Sequence, residues 1–192
     1  LAYFGLVSAS KGVDVLLDAV RRCEVQAHLV LVGGEESGSD RATFGGDGGL
    51  RAAIAARGLA ERVTITGALP EGRVAAYLAA ADAIVLPYRD GASWRRGSLL
   101  AALTAGRPVI TTTPQPGYDA AGQLPTLRSG ESALLVPPGD ADGLAAGIAR
   151  VLGDSPLRAT LVAGALALAA RFDWATIARQ HLALYRALVR GG

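Results

Sequence analysis

Lys11 is the single lysine of the chain; the other eighteen of its nineteen basic side chains are arginines. It stands where a short apolar run gives way to a loop and then a helical pattern. An ammonium at such a junction acts as a mobile point charge for phosphate, and it suits a diphosphate reached across a crevice. The plainer alternative is a solvated residue at an ordinary helix start. The second candidate region is residues 88–106, YRDGASWRRGSLLAALTAG, which reads as a strand end, a polar loop carrying adjacent Arg95 and Arg96, and a helix opening at Gly97 and Ser98. The first N–H groups of a helix lack intrahelical partners, and the aligned peptide dipoles add partial positive charge there. With two arginines alongside, that opening is suited to an anion. A capped surface helix with two solvated arginines is the competing reading. Trp94 inside the loop could stack on a sugar or base, or pack beneath the loop.

These groups meet only if the elements around them bring them together. Residues 1–5 and the apolar run 27–32, which ends in Gly33 and Gly34, read as buried strands, with a helix between them whose Val13, Leu16, Leu17 and Val20 share a face. Residues 35–49 are rich in Gly, Ser and Asp, and are expected to be mobile. Helices follow at 50–57 and 70–80, the latter with Val74, Tyr77 and Leu78 inward, and strands at 62–66, 83–86, 108–111 and 133–136. Residues 112–130 are Pro- and Gly-rich and read as an irregular connection. Asp140 or Asp142 can cap the helix that runs to about residue 152; Ser155-Pro156 opens another, and Asp173 caps a last one over 173–190. Strands that are apolar throughout and alternate with helices predict an α/β fold: a Rossmann-like parallel sheet of about six strands with helices on both faces. Ligands in such sheets bind beyond the carboxyl ends of the strands. There the residues after Gly5, the pair Gly33-Gly34, the turn Gly67-Ala68-Leu69 and the loop from Tyr88 to Ser98 all face one crevice.

With 192 residues, 51% of them hydrophobic, the chain fits one domain. Its net charge of +2 comes from scattered arginines without aromatic interleaving, which argues against a nucleic-acid partner. One cysteine, Cys23, and two histidines, His28 and His181, offer neither an internal disulfide nor zinc spacing, so no metal is expected. No Walker loop surrounds Lys11, and no G-x-G-x-x-G follows the first strand, which makes a P-loop ATPase or a Rossmann-type reductase remote. The most apolar stretch, residues 161–170, reads as too short to span a bilayer.

Several segments in order, among them YFGLVSASKGVDVLLDAV, AHLVLVGG, RVTITGALPEGRVAAYLAAADAIVLPY, GSLLAALTAGRPVITT and ESALLVPPGDADGLAAGIARVL, resemble successive blocks of the C-terminal half of group 1 family retaining glycosyltransferases with the two-domain GT-B fold. The resemblance covers nearly the whole chain. It implies that residues 1–192 are a single nucleotide-sugar-binding domain whose N-terminal half, carrying the acceptor site, is absent. It further implies a metal-independent transfer with a nucleotide-diphosphate sugar as substrate and no cofactor, in a cytoplasmic protein with any inner-membrane association residing in the missing half. Lys11 matches the family lysine at the donor diphosphate. Gly5 and Gly33 match turns of the nucleotide pocket, Gly67 to Leu69 would lie near the base, and the backbone of Gly97, Ser98 and Leu99 would cradle the phosphates. The last helix, with Trp174, Ile177, Leu182 and Tyr185, would reach back toward the other half, leaving part of its apolar face exposed in this chain and free to form artificial dimer contacts.

Three departures accompany the resemblance. Leu6 stands where an arginine is usual, and the positions of two usual glutamates fall on Ser93 and Ala101. A carboxylate near the anomeric carbon stabilises oxocarbenium charge, and one on the ribose accepts from its hydroxyls; serine and alanine supply neither. Three explanations stand. Arg95 and Arg96 neutralise the diphosphate while Asp90 supplies a displaced carboxylate; a different donor is used; or the protein binds a donor-like ligand and catalyses poorly. The candidate catalytic set is therefore Lys11, Asp90, Ser93, Arg95 and Arg96. A noncatalytic module that binds a nucleotide or sugar phosphate, or that serves interaction, is the alternative from another class.

Overall fold

The computed structural model describes residues 1–34, 49–116 and 125–190. Six parallel strands form one sheet in the order β3-β2-β1-β4-β5-β6: β1 (Ala2–Leu6), β2 (Leu29–Gly34), β3 (Val63–Ile65), β4 (Ile84–Leu86), β5 (Val109–Thr112) and β6 (Leu134–Val136). Every residue of β4 and β5 is buried. Such strands need helices on both faces of the sheet, which is why β4 is apolar without alternation and the two buried threonines of β5 are its polar exceptions. The predicted Rossmann-like α/β fold is the one found, with strand ends shifted by a residue or two.

Seven α-helices are described: α1 (Val13–Arg22), α2 (Gly49–Ala56), α3 (Glu71–Ala80), α4 (Gly97–Thr104), α5 (Ala141–Gly153), α6 (Ser155–Ala169) and α7 (Trp174–Arg190). In α1 the apolar residues recur at helical spacing, so Val13, Leu16, Leu17 and Val20 are all buried, and the helix packs on α5. In α3 only Leu78 is fully buried, with Val74 and Tyr77 half-buried. Helix α6 lies against α4, α5 and β5. Asp140 rather than Asp142 caps α5, accepting from the Gly143 N–H at 2.8 Å. The stretch 35–48 expected to be mobile, and part of the irregular connection (117–124), lie outside the described residues.

The strand order places β1 and β4 side by side at the centre, although their crossovers run in opposite directions from there. The loops after these two strands therefore border one crevice. Three contacts lock them together. Gly12 holds a left-handed conformation (φ 67°), and a Cβ on it would lie 2.0 Å from the carbonyl oxygen of Pro87. The Arg89 N–H donates to the Ser10 carbonyl at 2.9 Å, while its guanidinium pairs with Asp14 of α1.

By length and composition alone, the helical stretch Ser155–Val189, 35 residues, is long and apolar enough to cross a membrane. Two helices and a 3-10 turn (Ala170–Phe172) together make that length. Backbone at Asp173 is extended (φ −65°, ψ 142°), breaking the helix. Leu161, Ala165, Leu168 and Ala169 of α6 are buried in the core of the domain.

Candidate functional site

The glycines converge first. Gly5 and Gly33 are partners in the β1–β2 register, and Gly33 bridges to Gly67 beyond β3. Gly33 has a positive φ of 97°, and a Cβ there would stand 3.0 Å from the Gly5 carbonyl oxygen, so the backbones approach as closely as only glycine permits. Its N–H donates to Thr66 Oγ1 at 3.1 Å. Gly34 is opposite Leu6, Ala68 is exposed and Leu69 is half-buried just past the same edge.

The cations converge next, over a ring the sequence reading did not single out. Tyr88, fully buried, follows β4, and its hydroxyl shares a 2.8 Å hydrogen bond with Ser98 Oγ at the opening of α4. Lys11 Nζ sits 5.2 Å from the centre of the Tyr88 ring and makes a long 3.4 Å contact to the same Ser98 Oγ. The Arg96 guanidinium lies 4.4 Å from that ring centre and is ion-paired with Asp90. Beneath them is Tyr3, also fully buried, whose hydroxyl donates to the Leu6 carbonyl at 3.0 Å. Burial raises the Tyr88 phenol to about 12 and pushes Tyr3 up as well, so both rings are neutral. Lys11 is held below the ordinary lysine value, first by burial and then by the Arg96 charge, with Asp90 opposing.

Asp90, Ser93, Arg95, Arg96, Gln115 and Pro116 line an open cavity of about 610 Å³ beside this cluster. Arg95 is exposed there, unlike Arg96. At the start of α4 the Leu99 N–H already donates to the Arg96 carbonyl at 2.9 Å and the Leu99 side chain is buried, so Gly97 and Ser98 supply the open helix end. Trp94 takes the packing arrangement: its indole N–H donates to the Pro125 carbonyl at 2.9 Å, and its ring lies 4.5 Å from that of Phe172. Ala101 does not share the cavity of Asp90 and Ser93. It faces a second, apolar cavity of about 600 Å³ with Leu100, Leu166, Phe172, Trp174 and Ile177. The structure thus joins Lys11, Asp90, Arg96 and Ser98 around Tyr88, sets Ser93 and Arg95 at the cavity rim, and directs Trp94 and Ala101 elsewhere. Tyr88 left one usable signal in the sequence, a scarce aromatic just past a strand end at the crevice, whereas Tyr3 lies inside β1 and left none. Gln115 and Pro116 left none. Among the described residues no three His, Cys, Asp or Glu side chains form a metal site.

These features define a Rossmann-like domain with a cationic, glycine-lined crevice at the carboxyl edge of its sheet. Residues 1–154 match the family described as "Glycosyl transferases group 1", and the chain belongs to that family. It is 30% identical over 185 residues to a phosphatidyl-myo-inositol mannosyltransferase of Mycobacterium leprae, covering 95% of this chain and 44% of that protein. Over 193 residues it is 31% identical to a D-inositol 3-phosphate glycosyltransferase of Jonesia denitrificans, covering 96% of this chain and 42% of the relative. The chain therefore spans less than half the length of these curated relatives. Among solved structures it is similar to Anabaena HepE in complex with UDP-glucose, with a TM-score of 0.78 and 25% identity over 97% of this chain and 48% of that one.

Proposed function

We propose that the chain is the donor-binding domain of a glycosyltransferase that moves a sugar from a nucleotide-diphosphate sugar to an acceptor. The observation that carries this reading is the gathering of Lys11 and Arg96 over Tyr88 at the open end of α4, in a group 1 family domain whose solved neighbour HepE was crystallised with UDP-glucose. Glycosidic cleavage leaves negative charge on the diphosphate. Fixed cations and helix-end N–H groups stabilise that charge in the transition state, so Lys11, Arg95, Arg96 and the N–H groups of Gly97 and Ser98 do here what a metal does elsewhere. The transfer is retaining and metal-independent on this reading. The glycine edge of Gly5, Gly33 and Gly67, with Ala68 and Leu69 beyond it, receives the nucleoside.

Asp90 supplies the carboxylate missing at Ser93. In the free protein it is held by Arg96; a diphosphate that recruits Arg96 releases it toward the sugar. The acceptor is bound by the half of the protein that precedes this chain, and α7 packs toward that half, so residues 1–192 bind donor without turning it over. A noncatalytic nucleotide- or sugar-phosphate-binding module is the second reading, favoured by the absence of carboxylates at Ser93 and Ala101.

Calorimetric titration with UDP, GDP, ADP and dTDP tests the site. One nucleotide is expected to bind, and Lys11→Ala or Arg96→Ala to weaken it by about 1.5–3 kcal/mol, the worth of a hydrogen bond to a charged group. Binding indifferent to both changes would sink the phosphate cradle. Sugar transfer by the full-length protein, abolished by Asp90→Asn, separates the enzyme from the noncatalytic module.

A further inference from the structure

Beneath the two cations lies a ring that can touch no ligand. Tyr88 is fully buried, and Lys11 and Arg96, which reach it from loops 85 residues apart in sequence, stand 5.2 and 4.4 Å from its centre. Two like charges gathered over one ring repel each other. Something must hold them, and the observed holders are few. Asp90 pairs with Arg96 from the solvent side, and Ser98 Oγ offers Lys11 only a 3.4 Å contact. The electron-rich face of an aromatic ring attracts a cation without neutralising it, and the attraction grows where water is excluded. A second carboxylate in place of the ring would pair with both cations and compete with phosphate for them. Leucine would fill the space and hold neither.

We infer that Tyr88 is a positioning residue of the donor site: its ring sets the placement of Lys11 and Arg96, and its hydroxyl ties that pair to Ser98 at the opening of α4. This inference rests on the donor-site reading above. The hydroxyl and the ring have separable duties. Removing the hydroxyl frees Ser98 but leaves both cations on the ring, whereas removing the ring leaves the cations with nothing beneath them.

The test compares Tyr88→Phe with Tyr88→Leu in the 192-residue chain, using the nucleoside diphosphate that wild type binds as probe and thermal unfolding as a check on folding. Tyr88→Phe is expected to bind within about threefold of wild type, and Tyr88→Leu about tenfold more weakly, the equivalent of about 1.4 kcal/mol. In an Arg96→Ala background the loss from Tyr88→Leu should shrink, because part of what the ring holds is already gone. Since the chain has one lysine, ε-¹³C-lysine labelling gives a single Lys11 signal, which the ring current should displace in wild type and Tyr88→Phe but not in Tyr88→Leu. Unchanged affinity in Tyr88→Leu, or an equal loss with and without Arg96, would show that the ring merely packs and would overturn the inference. Should Tyr88→Leu fail to fold, the displaced Lys11 signal and near-wild-type affinity of Tyr88→Phe carry the test, and a Lys11 signal at the ordinary lysine position in wild type overturns the inference. If wild type binds none of the four nucleotides, the donor-site reading falls and takes this inference with it.

Discussion

The helices that close the chain and those beside the crevice begin differently. Helices α5, α6 and α7 each start behind an aspartate: Asp140 accepts from Gly143 N–H at 2.8 Å, Asp154 from Leu157 N–H at 2.9 Å, and Asp173 from Thr176 N–H at 3.0 Å. The helices beside the crevice start otherwise. Gly12 precedes α1 and Arg96 precedes α4, with no side-chain cap at either, and α4 has no acidic residue in its first turn. A side-chain cap is worth about 1 kcal/mol, so leaving α4 open and surrounding it with cations forgoes stability. What is gained is a set of backbone donors left for something other than the protein. The three C-terminal helices are thus closed by aspartate, whereas α1 and α4 beside the crevice, like α3 behind Pro70, lack a side-chain cap.

The contrast can be broken or sharpened by substitution. The largest effect is expected from Gly12→Ala, because the new Cβ would meet the Pro87 carbonyl oxygen at 2.0 Å and would sit in the left-handed region (φ 67°). A loss of about 3 kcal/mol in urea unfolding, with nucleotide affinity falling as the loops separate, is the expected outcome. Intact stability would mean that the two loops are not locked. Next come Asp140→Ala and Asp154→Ala, each expected to cost about 1 kcal/mol of stability while leaving nucleotide affinity unchanged. A loss of affinity in either variant would erase the distinction between supporting and crevice helices.

The smallest effect belongs to pH. Asp173 is held below the ordinary carboxylate value of 3.8, chiefly by its hydrogen bonds from Thr176. A carboxylate depressed in the folded state contributes stability that is complete above its unfolded value and is lost as pH falls through the lower folded one. Amide exchange in the first turn of α7 should therefore rise only below about pH 4, with the crevice helices unaffected. In Asp173→Asn that acid step should vanish.

How much of this was legible beforehand divides along the same line. The caps at Asp140, Asp154 and Asp173 belong to local chemistry, three residues from the group they satisfy, and two of the three were readable directly. Helix α1 announced itself through Val13, Leu16, Leu17 and Val20, and β2 through the apolar run 27–32. Lys11 stood out because it is the single lysine, and Arg96 because it precedes Gly97 and Ser98. Tyr88 did not stand out. Its importance comes from Lys11, 77 positions away in sequence, and from a strand order that places β1 beside β4, neither of which periodicity records. The same holds for Trp94, whose partner Phe172 arrives from the far end of the chain. The apolar side of α7 was anticipated as exposed, and Trp174, Leu182 and Tyr185 are 83, 47 and 58% exposed.

The lock between the two crevice loops also bears on protein engineering. Gly12 against Pro87, Arg89 to the Ser10 carbonyl and Arg89 with Asp14 make the loop after β1 and the loop after β4 a single mechanical part. A chimera that imports one loop from a relative with another donor preference would carry half of that part and mate it with a foreign surface. Transplanting both loops together, with the first turn of α1, keeps the joint whole. On the proposed donor-site reading, the unit of exchange is thus a pair of segments distant in sequence.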